Sequence, residues 1–304
     1  MHEKNDFWVR ERECERIFAA GGPYFMINTE HVDWLLYKTR EEFIVGTNLV
    51  AIAAAESGFH ILDDVQMNNH HHVLGEGTRS RADAFADLLR EKERKFQTSL
   101  GNRSLKDWEI RVDATTDLQQ FRNRVAYIDR NAYVVRLDST PNGYPWGSGG
   151  LFFNGNLWMM SEGLPWKSLT IEKKRKICRS HNIDMPDTYK TLGGMILRRS
   201  FVDYKRTESM FNSANQYFTK LTRHGEADVE ISKALGEKIQ LPTEEVFQIV
   251  GGWFPGSSVR ELEVKDRLEA AKAMKTRLNS SNKQISQVLR LPEDQLERLF
   301  PRSR

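Results

Sequence analysis

The chain reads as an α+β protein whose first half runs β-α-β-β-α-β and closes on one further helix. A mostly α-helical C-terminal region follows. Three observations carry that expectation. Short apolar runs alternate with charged neighbours at strand spacing, as at Trp108, Ile110 and Val112. Two long stretches, 39–57 and 80–97, carry apolar residues at helical spacing between recognisable ends. After the turn-rich run 144–150, the pattern changes to short helical pieces.

Residues 1–22 form a charged arm, helical over 6–19, and 23–28 read as the first strand. Thr39 can cap the helix over 39–57, and Glu41 and Glu42 suit its positive end. Phe43, Leu49, Val50 and Ile52 supply its buried side, and Gly58 stops it. Residues 59–66 and 70–74 pair as a hairpin through Asn68-Asn69, because Asn tolerates positive φ. Gly75-Glu76-Gly77 breaks the pattern. The helix over 80–97 buries Ala84, Phe85, Leu88 and Leu89, and a fourth strand covers 107–114. Asp117 then caps a helix running through Tyr127 to about Asn131. This order is the ferredoxin-like split βαβ arrangement, an antiparallel sheet with helices on one face. It makes the 70–74 strand central, with its other face toward the last helix.

The expected domains are 1–150, a helical accessory region 151–257, and a helical unit 258–304. Helices are expected at 171–179, 195–217 and 226–236, with another starting at 241–246. A long helix over 258–278 precedes two short ones, 283–289 and 294–300, joined by Leu291-Pro292-Glu293 in a helix-turn-helix pattern.

No run approaches the ~20 apolar residues of a membrane span, and the charged N-terminus is no signal peptide. Cys14 and Cys178 lack any CxxC partner, which fits a reducing cytosol and excludes a disulfide or zinc-thiolate scaffold. A net charge of +3 says little about partners. Local clustering says more: Arg90, Lys92, Arg94 and Lys95; Lys173, Lys174, Arg175, Lys176 and Arg179; Arg198, Arg199, Lys205 and Arg206. Each is a solvated face or a nucleic-acid contact; beside a phosphodiester-cutting site, three such groups favour DNA or RNA.

That site is proposed by two stretches. In Met67-Asn68-Asn69-His70-His71-His72-Val73-Leu74, strand alternation sends His70 and His72 out of one face and His71 out of the other. In Tyr127-Ile128-Asp129-Arg130-Asn131, helical spacing puts the phenol and the amide on one face. Two imidazoles and an amide oxygen, without thiolate, suit Mn²⁺ or Mg²⁺. Such an ion would polarise a phosphodiester, and Tyr127 would attack phosphorus in line, leaving a 5′-phosphotyrosine and a free 3′-OH. Each feature also has a plainer reading: a polar surface run, a core tyrosine, an end-of-helix asparagine.

The two stretches resemble the HUH single-tyrosine transposases, IS200/IS605-like, and especially their REP-associated branch. That family writes Met-Pro-Asn-His-hydrophobic-His-hydrophobic-Leu; here Asn68 replaces the proline and His71 the apolar residue. The branch writes Tyr-Ile-x-x-Asn-Pro-Val, which Tyr127, Ile128 and Asn131 match without the proline. Tyr144-Pro145-Trp146-Gly147-Ser148 is similar to its Tyr-x-Trp-Ser-Ser element, and 282–289 to a small terminal helix-turn-helix of some members. The resemblance spans roughly 23–148. It implies His70, His72 and Asn131 as metal ligands, Tyr127 as nucleophile, and Mg²⁺ or Mn²⁺ as cofactor. It also implies hairpin-bearing single-stranded DNA as partner, a cytoplasmic, DNA-associated location, and in compact members a homodimer exchanging the tyrosine helix. Three other readings remain: a non-cleaving binder of structured nucleic acid on the same fold, a replication or conjugation initiator, and a metallohydrolase. Tyr133 is the rival nucleophile, though helix geometry turns it away from Tyr127.

Overall fold

The computed structural model describes residues 2–32, 34–102, 105, 108–135, 143–222, 243–254, 262–278 and 280–300. The chain forms two compact units, Met1–Leu221 and Thr222–Arg304. The first holds α1 (His2–Ala20), β1 (Tyr24–Thr29), α2 (Arg40–Ser57), β2 (His60–Gln66), β3 (His71–Glu76), α3 (Arg79–Ser99), β4 (Ile110–Thr115) and α4 (Leu118–Val135). After these come β5 (Leu164–Pro165), α5 (Ile171–Cys178), β6 (Lys190–Leu192), β7 (Met195–Ile196), α6 (Tyr204–Glu208) and α7 (Ala214–Thr222).

The first four strands form one antiparallel sheet in the order β2-β3-β1-β4. Local chemistry sets the helix ends. The Thr39 side chain accepts from the Glu42 amide, and Gly58 ends α2 in the left-handed region at φ 66°. Thr78 caps α3 in the same way, and Asp117 accepts from the Gln120 amide at the start of α4. The helix α4 runs beyond Asn131, the expected end, because nothing in 131–135 breaks it.

Strand β3 also runs further than expected, through Gly75 and Glu76. Glycine is needed there because a Cβ at Gly75 would lie 2.4 Å from the Phe59 ring and 2.7 Å from the His60 carbonyl oxygen. Its residues alternate between two layers. Phe25, Ile27 and Val73 face α2 and α3, packing with Val50, Phe85 and Leu89. On the other face α4 lies across β2 and β3, with Phe121, Val125 and Ile128 buried.

The first unit does not stop at the boundary expected near 150. Strand β2 is a sheet edge, and the following chain covers it. The Gln66 amide donates to the Trp146 carbonyl, Ser148 N–H to Asp64 O, and Asp203 N–H to Ile61 O, all at 2.8–2.9 Å. Arg198 reaches from behind to the Asp64 carboxylate, Nε to Oδ2 2.9 Å, both side chains buried. The expected single helix over 195–217 is instead β7, a 3₁₀ turn at Arg198–Ser200, α6 and α7. Buried anchors at Arg198 and Thr207 interrupt it; Thr207 Oγ1 donates to the Leu62 carbonyl at 2.7 Å. β5, β6 and β7 make a second, small antiparallel sheet.

The second unit contains α8 (Thr243–Trp253), α9 (Val264–Arg277), α10 (Asn282–Leu289) and α11 (Glu293–Leu299). Val246, Val250, Ala271, Met274, Ile285, Val288, Leu289 and Leu296 form its core. Ser281 and Gln284 form a reciprocal capping box at the start of α10. The expected helix over 226–236 and the turn at 255–258 lie outside the described residues. No described helix is long and apolar enough to cross a membrane.

Arg198→Met leaves the Asp64 carboxylate buried without its guanidinium, at an expected cost of about 3–5 kcal/mol. A urea titration reads the loss as a lowered midpoint, and Asp64→Asn added to it restores most of the difference.

Candidate metal centre and its tyrosine

Register in β3 decides which imidazole goes where. His72 pairs with Asn28 across the β1 ladder and with Val65 across β2, so it shares their face, toward α4. His71 takes the opposite face, among α2 and α3. There its Nε2 lies 2.6 Å from the Tyr37 hydroxyl, which donates in turn to Glu93 Oε1 on α3. All three are fully buried, and burial followed by the Glu93 charge holds the Tyr37 phenol far above its usual range. His71 is therefore a packing residue behind the sheet, as alternation predicts.

His70 and His72 are oriented by amides. His70 Nδ1 lies 2.8 Å from Asn69 Oδ1, and His72 Nδ1 lies 2.8 Å from Asn28 Oδ1. An amide oxygen only accepts, so each Nδ1 carries the hydrogen and each Nε2 presents a lone pair. Asn28 is itself held by Asp113, Nδ2 to Oδ2 3.3 Å. The two rings lie 4.7 Å apart, centroid to centroid. His70 Nε2 is buried and makes no well-formed hydrogen bond, though the Asn131 amide stands close enough to favour its protonated form. Burial, then the neighbouring imidazoles His72, His31 and His71, hold His70 well below the usual histidine pKa. It is thus the neutral, ligating form at neutral pH.

Helix α4 supplies the other two residues. The Tyr127 ring meets His72 edge to face, centroids 5.2 Å apart, and its hydroxyl is buried with no hydrogen-bond partner. Asn131 Nδ2 donates to the Tyr127 carbonyl at 3.0 Å, leaving Oδ1 as the atom it can offer. Buried nitrogens with fixed tautomers, a third residue with an available oxygen and an unsatisfied phenol suit a divalent cation. Tyr133 belongs to α4, but its side chain lies outside the described part.

One member of the cluster carries no signal in the sequence. His31 sits in the loop after β1, stacked on His70 with centroids 3.6 Å apart and planes inclined by 19°. The ligand atoms of His31, His70 and His72 all lie within 4.8 Å of one another. A lone histidine beyond a strand end has no spacing partner to single it out. Asn28 is equally silent, because its role follows from strand register.

The basic groups are placed differently. Arg90, Lys92, Arg94 and Lys95 lie on α3, and Lys173, Lys174 and Arg175 on α5, which packs against α2; this is the layer opposite Tyr127. Several are already engaged. Lys92 pairs with Glu56 at 2.7 Å, Arg90 with Asp87 at 2.7 Å, Lys95 with Glu91, and Lys174 lies over the Trp166 ring. Arg198 is buried on Asp64, and Arg199 donates to the Met160 and Ser161 carbonyls. Arg94, Lys173 and Arg175 are exposed. Proximity in sequence to the candidate site did not translate into proximity in space.

Beneath α4 lies a buried acidic pair. Both Asp63 carboxylate oxygens are buried without hydrogen-bond partners, and burial, then Asp129 and Asp64, push its pKa far up. Asp129 accepts from the Tyr217 hydroxyl at 2.7 Å, and burial pushes its pKa up to about 7.

No family model and no curated protein matches the chain. Among solved structures it is similar to one described as the REP associates tyrosine transposase bound to a REP hairpin. The two are 20% identical over 45% of this chain and 82% of that one, with a TM-score of 0.34.

A carboxyl with a raised native pKa stabilises the fold while protonated. The Asp129 contribution is therefore full below about pH 4 and is lost as pH rises through about 7. Asp129→Asn, which keeps an acceptor for Tyr217, is expected to flatten the decline. Its urea midpoint should exceed that of the wild type at pH 8 and not at pH 5.

Proposed function

We propose that the chain is a metal-dependent transesterase of single-stranded DNA, with Tyr127 as nucleophile and His70, His72 and Asn131 as the cation site. The observation that carries this reading is convergence within one chain. An unsatisfied buried phenol and an amide from α4 meet two tautomer-fixed imidazoles, His72 on β3 and His70 just before it. We read the supporting sheet, order β2-β3-β1-β4, as the ferredoxin-like arrangement.

The chemistry follows from the residues. Mn²⁺ or Mg²⁺ held there would act as a Lewis acid on a phosphodiester. Tyr127 is fixed by helix packing rather than by a hydrogen bond to its oxygen, so that oxygen stays available for attack. Its phenol oxygen forms the new bond to phosphorus and loses its proton, while the P–O3′ bond breaks and the 3′ oxygen departs as a hydroxyl. The strand is left joined through its 5′-phosphate to Tyr127, and the reverse reaction rejoins it without ATP. By the motif resemblance, the substrate is single-stranded DNA beside a hairpin. The exposed cations Arg94, Lys173 and Arg175 are proposed as non-specific contacts to such DNA.

A second reading is favoured by one observation: Tyr127 is only 2% exposed, and the exposed cations Arg94, Lys173 and Arg175 lie in the other layer. A protein that grips structured nucleic acid without cutting it would look the same. Incubation with hairpin-bearing single strands and Mn²⁺, followed by a denaturing gel, separates the two. Cleavage predicts a covalent adduct, lost completely in Tyr127→Phe and reduced at least ~100-fold in His70→Ala or His72→Ala. Binding without any adduct, unaffected by EDTA, would establish the second reading instead.

A further inference from the structure

The cation site so proposed has two imidazoles, yet the structure gathers three. We propose that His31 is a third imidazole ligand beside Asn131, and that the resulting set of three ring nitrogens selects a borderline transition ion over Mg²⁺. This rests on the reading of His70 and His72 as ligands and goes beyond it, naming a further residue and the class of ion.

Position is the first argument. One ligand atom from each of the three rings already falls within 4.8 Å of the other two. Donors about 2.1 Å from a tetrahedral ion lie about 3.4 Å apart, so the most separated pair has to close by up to about 1.4 Å, with the stacked His31 ring turning as it does so. His31 is the exposed member, on a loop, and is the one able to make that shift. His70 and His72 are buried and held through Nδ1.

The second argument is how the loop is held. Asn69 Nδ2 donates to the Val32 carbonyl at 3.2 Å, and the Val32 amide donates to the Asn69 carbonyl at 3.4 Å. The same Asn69 orients His70 through its Oδ1. One asparagine therefore ties the backbone beside His31 to the ring of His70. Packing of unrelated side chains gives no reason for that connection, whereas a shared ligand sphere does.

Charge and softness then choose the ion. Among the described residues no carboxylate belongs to the group. Mg²⁺ seeks oxygen donors in a strict octahedron and is poorly served by three imidazoles. Imidazole affinity rises along the series from Mn²⁺ toward Co²⁺ and Zn²⁺.

The test is metal binding by the full chain, read by calorimetry with Mn²⁺, Zn²⁺ and Mg²⁺ and by the visible absorption of Co²⁺, independent of DNA cleavage. Wild type should bind one Co²⁺ or Zn²⁺ at least ~100-fold more tightly than Mg²⁺. His31→Ala should weaken Co²⁺ about 10–100-fold and alter its absorption bands, with an unchanged thermal melt showing the fold intact. If His31→Ala binds Co²⁺ with wild-type affinity and spectrum while His70→Ala and His72→Ala lose it, His31 merely stacks. The inference is then overturned and the two-histidine site stands. If wild type binds none of the four ions, or His70→Ala and His72→Ala bind as it does, the metal site itself is refuted.

Discussion

Everything at the candidate centre depends on the alternation of a single strand, β3, between two packed layers. Consecutive imidazoles leave it in opposite directions, and neither direction is free to change. His71 is locked behind the sheet by Tyr37 and Glu93, in a space without solvent. A slip of one residue would drive His71 toward α4 and put His70 and His72 among the apolar side chains of α2 and α3. The buried hydrogen-bonded trio would be broken at the same time. Losing it would leave several polar groups unpaired, each at about 1–3 kcal/mol. The register that faces His72 toward Tyr127 is thus enforced from the side that does no chemistry.

The partner helix is fixed with comparable care, and the means explain why the first unit is so long. Arg122 of α4 donates through Nε to the Met210 carbonyl at 2.6 Å and pairs with Glu11 of α1. Arg130 donates to the Leu221 and Lys220 carbonyls in the last turn of α7. Those carbonyls lie in the last described turn of a helix, at its negative end, where a guanidinium suits them. Tyr217 of α7 holds Asp129. The segment after 198 is therefore a clamp on the helix that carries Tyr127, and the clamp belongs to the same chain as the histidines.

Much of this was legible because it is local. Thr39, Gly58 and Asp117 mark helix ends by chemistry acting within four residues, whereas the expected strand over 70–74 begins at His71, and His70, just before it, is oriented by Asn69. Features that depend on tertiary register were not legible. Arg198 counts as one more surface cation until the fold sets it against Asp64, and Gly75 reads as a breaker until Phe59 is placed over it. The run 195–217 has a helical composition, yet anchors at Arg198 and Thr207 divide it. His31 and Asn28 are the sharpest cases. Neither has a sequence neighbour that raises its significance, and both gain it only when β1 pairs with β3.

Burial sets a direction of approach to the centre. His72 is 0% exposed, Tyr127 2%, His70 4% and Asn131 6%, and His31 alone reaches the surface. On the proposed reading, a phosphodiester chain would reach these groups under α4 or past the His31 loop. Lifting α4 would expose Phe121, Val125 and Ile128, at about 1.5–3 kcal/mol each, and would strand Arg122, Asp129 and Arg130 from their partners. Moving the loop breaks two hydrogen bonds between Val32 and Asn69, each worth about 0.5–1.5 kcal/mol net, and disturbs the His31 stack on His70 and the packing of Val32. The loop is the smaller disruption, since it leaves the buried side chains of α4 in place. On the proposed reading, a strand that passes this loop would meet His31, the ring proposed to complete the ligand set.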